Sequence, residues 1–150
     1  MGGTTAKVLV FSLAEIRFVL DLDHVVEVLE QLEPRLDPGR SDLRQGIVAA
    51  LDFRHTAIPA VDPTLKLGLV SATSYVDRVA LVLRGSEGNW AVLVDDIEGL
   101  MSADTMVRAT LPVLLKATPE YSGVQVMLAD GVPLVVFEPE RFYGINQEVI

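Results

Sequence analysis

The apolar residues of this chain fall in short β-rich runs separated by turn signals every ~8–12 residues, and no amphipathic helix of ~10–15 residues recurs between them. That pattern disfavours a parallel sheet with crossover helices and points to an all-β barrel or sandwich. Lys7–Leu13 and Ile16–Asp21 read as a strand pair joined at Ala14-Glu15. Asp23–Leu29 suits either a strand or one helical turn, and Gln31–Arg44, with Pro34, Pro38 and Gly39, reads as loop. Gly46–Phe53 and Thr56–Val61 form a second pair around Arg54-His55, followed by Pro63–Leu69 and a polar link, Ser71–Tyr75. Beyond the link the style repeats. Val76–Leu83, Trp90–Val94 and Ile97–Met101 read as strands, Ser102–Leu115 as mixed, and Val124–Leu128 and Val132–Phe137 bracket Ala129-Asp130-Gly131. Asp-Gly supplies the positive φ that a tight hairpin needs. Glu138–Phe142 reads as a terminal helical turn with Pro139 at its first position. The link divides the strands into comparable halves. The expectation is therefore one module over 1–150 made of two small barrels, about 8–70 and about 76–138 with some strand exchange, sharing one apolar core, and a terminal turn at 138–143.

Half the residues are hydrophobic and the mean hydropathy is +0.39, yet no apolar run approaches the ~18 residues that span a bilayer. The apolar surface must go into a core or interfaces, where it could also close a homodimer. The opening stretch suits neither a signal peptide nor a myristoylation site, so a cytoplasmic protein without membrane insertion is expected. Zero cysteines excludes disulfides, thiolate zinc sites and cysteine nucleophiles, and two histidines, His24 and His55, exclude a histidine-rich metal site. A net charge of −9 argues against nucleic-acid binding, which needs clustered Lys and Arg.

Residues that could carry chemistry do not converge. Asp95 and Asp96 are adjacent, so on a strand they point to opposite faces and suit a turn better than a shared proton. Asp21 and Asp23 share a face but lack a basic or nucleophilic partner, and Asp62-Pro63 fits a turn in which Asp bonds the backbone two residues on. His55 reads as an exposed turn residue, or as a pH-sensitive contact in an interface. No serine lies in a Gly-x-Ser-x-Gly setting, and neither phosphate-binding glycine loop is present. Neither catalysis nor any cofactor or metal is expected.

The order of segments resembles the CheW-like domain, the bacterial chemotaxis adaptor module that also forms the regulatory end of chemotaxis histidine kinases. The resemblance runs over roughly residues 7–143. It rests on Val10-Phe11-Ser12-Leu13, Phe18-Val19-Leu20-Asp21-Leu22 and Val25-Val26-Glu27-Val28, then Pro59-Ala60-Val61-Asp62 with Leu67-Gly68. Further on it rests on Val92-Leu93-Val94-Asp95-Asp96-Ile97, Tyr121, Gly123 and Leu134 through Phe142. Three positions depart: Asp52 stands where the family often has Asn, His55 where it has a turn glycine, and Pro63 where a leucine usually follows the aspartate.

The resemblance implies two five-stranded barrels packed about a shared core. It also implies a scaffold that binds a histidine kinase's regulatory domain and the tip of a chemoreceptor's helical hairpin. Position by position, Leu22, Val25, Glu27 and Arg54 fall where the family's receptor and kinase contacts lie. Their chemistry suits that use, since a helical hairpin offers apolar anchors with charged flanks. Ordinary core packing for Leu22 and Val25, a solvated turn for Arg54 and a solvated strand face for Glu27 are the plain alternatives. At the level of function, the alternatives are a diverged module of another two-component pathway, such as motility or development, and a small-ligand-binding β-barrel.

Overall fold

A computed structural model describes residues 6–109 and 124–143. Twelve strands are present among the described residues: β1 (Lys7–Leu13), β2 (Ile16–Asp21), β3 (Val25–Leu29), β4 (Leu36–Asp37), β5 (Ile47–Phe53), β6 (Thr56–Val61), β7 (Val79–Leu83), β8 (Trp90–Val94), β9 (Asp96–Ser102), β10 (Met106–Ala109), β11 (Val126–Ala129) and β12 (Val132–Val136). One short helix, α1 (Pro63–Leu67), follows β6. The fold is all-β, as expected, in two mixed sheets. The first has the order β10-β11-β12-β2-β1-β9 and the second β3-β7-β8-β6-β5-β4. Each holds six strands where the resemblance implied five, partly because Leu36–Asp37, inside the expected loop, pairs with β5. Both readings of Asp23–Leu29 apply in turn: Leu22–His24 is a 3-10 turn and Val25–Leu29 a strand. Among the described residues, no helix is long and apolar enough to cross a membrane.

The sheets do not part at Ser71–Tyr75. The chain leaves the first sheet after β2, builds all of the second from β3 to β8, and returns at Asp95. The segment is polar for another reason: its hydroxyl and carbonyl groups serve a buried charge cluster described below.

Strand alternation explains the high hydropathy. In β1, Leu9, Phe11 and Leu13 enter a cluster between the sheets, while Val10 turns to a cluster on the other face of the first sheet. In β8, Trp90, Val92 and Val94 enter the same shared seam, while Ala91 and Leu93 turn to a cluster on the far face of the second sheet. Strands β2 and β7 divide their side chains in the same way. Strands apolar on both faces read as continuous hydrophobic runs, here because a core lies on either side. Aromatic rings knit the seam. Phe11 and Phe18, paired across β1 and β2, stack at 5.3 Å, and Phe137 meets them edge-on at 5.5 and 6.1 Å.

Candidate functional site

Strand β3 is an edge of the second sheet, paired with β7 through Val25–Leu83 and Glu27–Val82, so Val26 is an extra residue forming a bulge. Around it Val25 packs on the seam and Val26 on the second sheet's far-face cluster. Glu27 reaches the β5–β6 turn, where its Oε1 accepts a hydrogen bond from Arg54 Nη2 at 2.9 Å. The pair stays open to solvent, with the Arg54 side chain 67% and the Glu27 side chain 40% exposed. The Arg54 guanidinium also lies 4.6 Å from the centre of the Phe53 ring, a cation–π contact that holds the charge over an apolar base.

Of the four residues singled out in the sequence, the structure therefore joins Glu27 and Arg54, which are 27 positions apart. Leu22 and Val25 rest half-buried against the seam, as core packing would have them, and keep part of their surface to solvent. Asp21 fixes the turn that carries Leu22, its carboxylate accepting from the Asp23 N–H at 3.1 Å. Val28, 39% exposed beside Glu27, was not singled out. A bulge redirects the side chains around it, and strand alternation in sequence does not announce one.

The turn under Arg54 is a two-residue connection between paired Phe53 and Thr56, with φ 52° at Arg54 and 67° at His55. Positive φ at both central residues is the primed hairpin geometry that normally selects Asn-Gly. Ala14-Glu15 and Asp130-Gly131 adopt it too. His55 thus keeps the backbone of a turn glycine while adding an exposed imidazole beside Arg54. His55→Gly is expected to stabilise the protein by about 0.5–1 kcal/mol by relieving left-handed strain. The urea midpoint checks it, and a fall in midpoint would show that the imidazole makes a compensating contact. Asp52, the neighbouring departure, is exposed on β5. Pro63, the third, opens α1 behind its Asp62 cap and is buried.

A second cluster escaped sequence reasoning. Arg78, 4% exposed, stands between two carboxylates: its Nη1 is 3.1 Å from Asp62 Oδ1, off the line of a hydrogen bond, and its Nε is 3.7 Å from Asp95 Oδ1. Arg78 Nε donates to the Thr73 carbonyl at 3.0 Å, and the guanidinium lies 4.8 Å from the centre of the Tyr75 ring. Asp62 Oδ1 also accepts from the Thr64 N–H at 3.0 Å and the Thr64 hydroxyl at 2.7 Å. Asp95 accepts from the Ala14 N–H at 2.8 Å and the Ser71 hydroxyl at 2.6 Å. Asp62 does the local turn-capping expected of it, whereas Asp95 serves the distant β1–β2 hairpin in place of a turn of its own. Burial raises the Tyr75 phenol above its ordinary value, helped by its hydrogen bond to the Asp62 carboxylate and that carboxylate's charge. No signal in the sequence links Arg78 to either aspartate.

An apolar cleft bounded by Phe18, Leu67, Val135, Phe137 and Phe142 has room for ≈ 30 Å³, about one water. Among the described residues no three His, Asp or Glu side chains gather as metal ligands.

The model of the CheW-like domain family matches residues 7–143. The crystal structure of the scaffolding protein TtCheW from Thermoanaerobacter tengcongensis is similar to this chain at a TM-score of 0.70 and 18% sequence identity, over 90% of each chain. At that identity the likeness bears on fold alone. No curated protein matches the chain in sequence. Tyr121 and Gly123, which contributed to the sequence resemblance, lie outside the described residues.

Proposed function

The chain belongs to the CheW-like domain family, and on that premise we propose that it is a non-enzymatic cytoplasmic adaptor coupling chemoreceptors to a histidine kinase. The observation that carries the reading is the meeting of Glu27 and Arg54 on the surface. Two opposite charges stand there with Val28 exposed alongside and Val25 partly exposed. Such a patch can desolvate aliphatic side chains at its centre while the charges set orientation at its rim. A kinase regulatory domain or a receptor hairpin tip, each with apolar anchors and charged flanks, fits it.

The exposed ion pair itself adds little stability, on the order of 0–1 kcal/mol, which leaves both charges available to be re-paired by a partner. The test is titration with the kinase regulatory domain and the receptor fragment encoded nearest the chain's own gene, using variants shown to be folded by circular dichroism. Val25→Asp is expected to weaken binding by about 2 kcal/mol or more, roughly 30-fold, because a few buried anchors dominate such interfaces. Arg54→Ala should weaken it less and lower its salt dependence, because a rim charge chiefly steers association. Undiminished binding by both folded variants would mean that the partner docks elsewhere. Binding to neither fragment by the unaltered protein would sink the adaptor reading itself.

A further inference from the structure

We infer that the buried Arg78–Asp62–Asp95 cluster is an electrostatic pin that holds the two sheets at one mutual angle. Its members come from the places where the chain turns at the border between the sheets. Asp62 ends β6 and caps α1, and Arg78 immediately precedes β7, both in the second sheet. Asp95 is the single residue between β8 and β9, where the chain returns to the first sheet, and its backbone N–H donates to the Ser12 carbonyl of β1 at 2.9 Å. Its carboxylate reaches further into the first sheet, to the Ala14 N–H in the β1–β2 turn.

Each aspartate is thus a hub for one region. Asp62 gathers Thr64 and Tyr75, and Asp95 gathers Ala14 and Ser71. Arg78 is the cation between them, with Asp62 3% and the Asp95 side chain 19% exposed. The surrounding seam is aliphatic and aromatic, and hydrophobic attraction is non-directional. Burial of Leu, Val and Phe therefore draws the sheets together and tolerates small changes in their angle. Directed hydrogen bonds and a shared charge do not tolerate them, and setting register is the best-attested use of buried ionic groups. Without the guanidinium, two carboxylates in a poorly hydrated pocket would repel across the border, and the return at Asp95 would act as a hinge.

The test uses the absence of native cysteine. Lys7→Cys in β1 and Ala57→Cys in β6 place one exposed label on each sheet of the full chain for electron–electron distance measurement. The unaltered background is expected to give one narrow distance distribution. Arg78→Met, which keeps an unbranched stem of similar bulk as far as the position of Nε and removes the charge, should at least double the width of that distribution or shift its maximum, in frozen samples prepared under native conditions. Asp95→Asn, which leaves Arg78 with Asp62, should widen it as well and serves alone if Arg78→Met does not fold. Arg17→Met breaks the exposed Arg17–Glu98 pair within the first sheet and should leave the distribution unchanged. An unchanged distribution in folded Arg78→Met or folded Asp95→Asn overturns the pin, as does an equal widening in Arg17→Met.

Discussion

Trp90→Ala is expected to cost about 3–5 kcal/mol of folding stability, the usual loss for emptying a large aromatic from a closed core. Trp90 is 1% exposed, the largest of the fully buried side chains. It opens the central strand β8 on the seam side and packs against Tyr143 with ring centres 5.1 Å apart. Its neighbours on the seam belong to both sheets, and pairing of β8 with both β6 and β7 keeps that strand from shifting into the cavity, so the cavity could close only if the sheets moved together. A loss of this size lowers the melting temperature by about 6–20 °C in a chain of this length. Because Trp90 is the only tryptophan, far-ultraviolet circular dichroism has to follow the transition. A loss below about 1 kcal/mol would mean that the seam relaxes freely and is not close-packed.

Arg78→Ala is expected to cost a similar amount, about 3–5 kcal/mol, by a different route. The loss comes from leaving Asp62 and Asp95 without their cation in a site that water scarcely reaches. Arg54→Ala is the internal contrast. It removes an ion pair of 2.9 Å, shorter than either contact of Arg78, yet on an exposed surface where the expected cost is about 0–1 kcal/mol. Burial decides the ranking, and distance does not. Urea titrations of the two variants side by side measure it, and equal losses would contradict the assignment of Arg78 as a buried charge that must be paired.

Much of this molecule was legible in its residues. The β-rich runs Lys7–Leu13 and Ile16–Asp21, the Asp130-Gly131 turn and Pro139 opening the terminal turn each follow from constraints within a few residues of themselves. The apolar runs Val76–Leu83 and Trp90–Val94 announced strands, and the structure shows β7 and β8 buried on both faces. Asp62 capping the next turn was local in the same sense. Matching the order of segments to a family singled out both Glu27 and Arg54, but their ion pair came only with the structure, because nothing local to either residue implies the other.

What only the tertiary structure decided lies at longer range. Ser71–Tyr75 has the composition of a linker, and composition cannot tell hydroxyls that face water from hydroxyls that serve a buried carboxylate. The allocation of strands between sheets depends on where the chain crosses, at Leu22–His24 and again at Asp95, and a crossing leaves no periodic trace. The β3 bulge, the two-residue strand β4 and the pairing of Arg78 with Asp62 and Asp95 are settled by partners 13 or more residues away. Sequence by itself determined that the chain is all-β and where most of its longer strands lie, since steric and hydrophobic preferences act residue by residue. Which strands meet, and which charges are sealed between them, is a property of the folded chain, where desolvation makes each buried charge depend on neighbours that the sequence holds far apart.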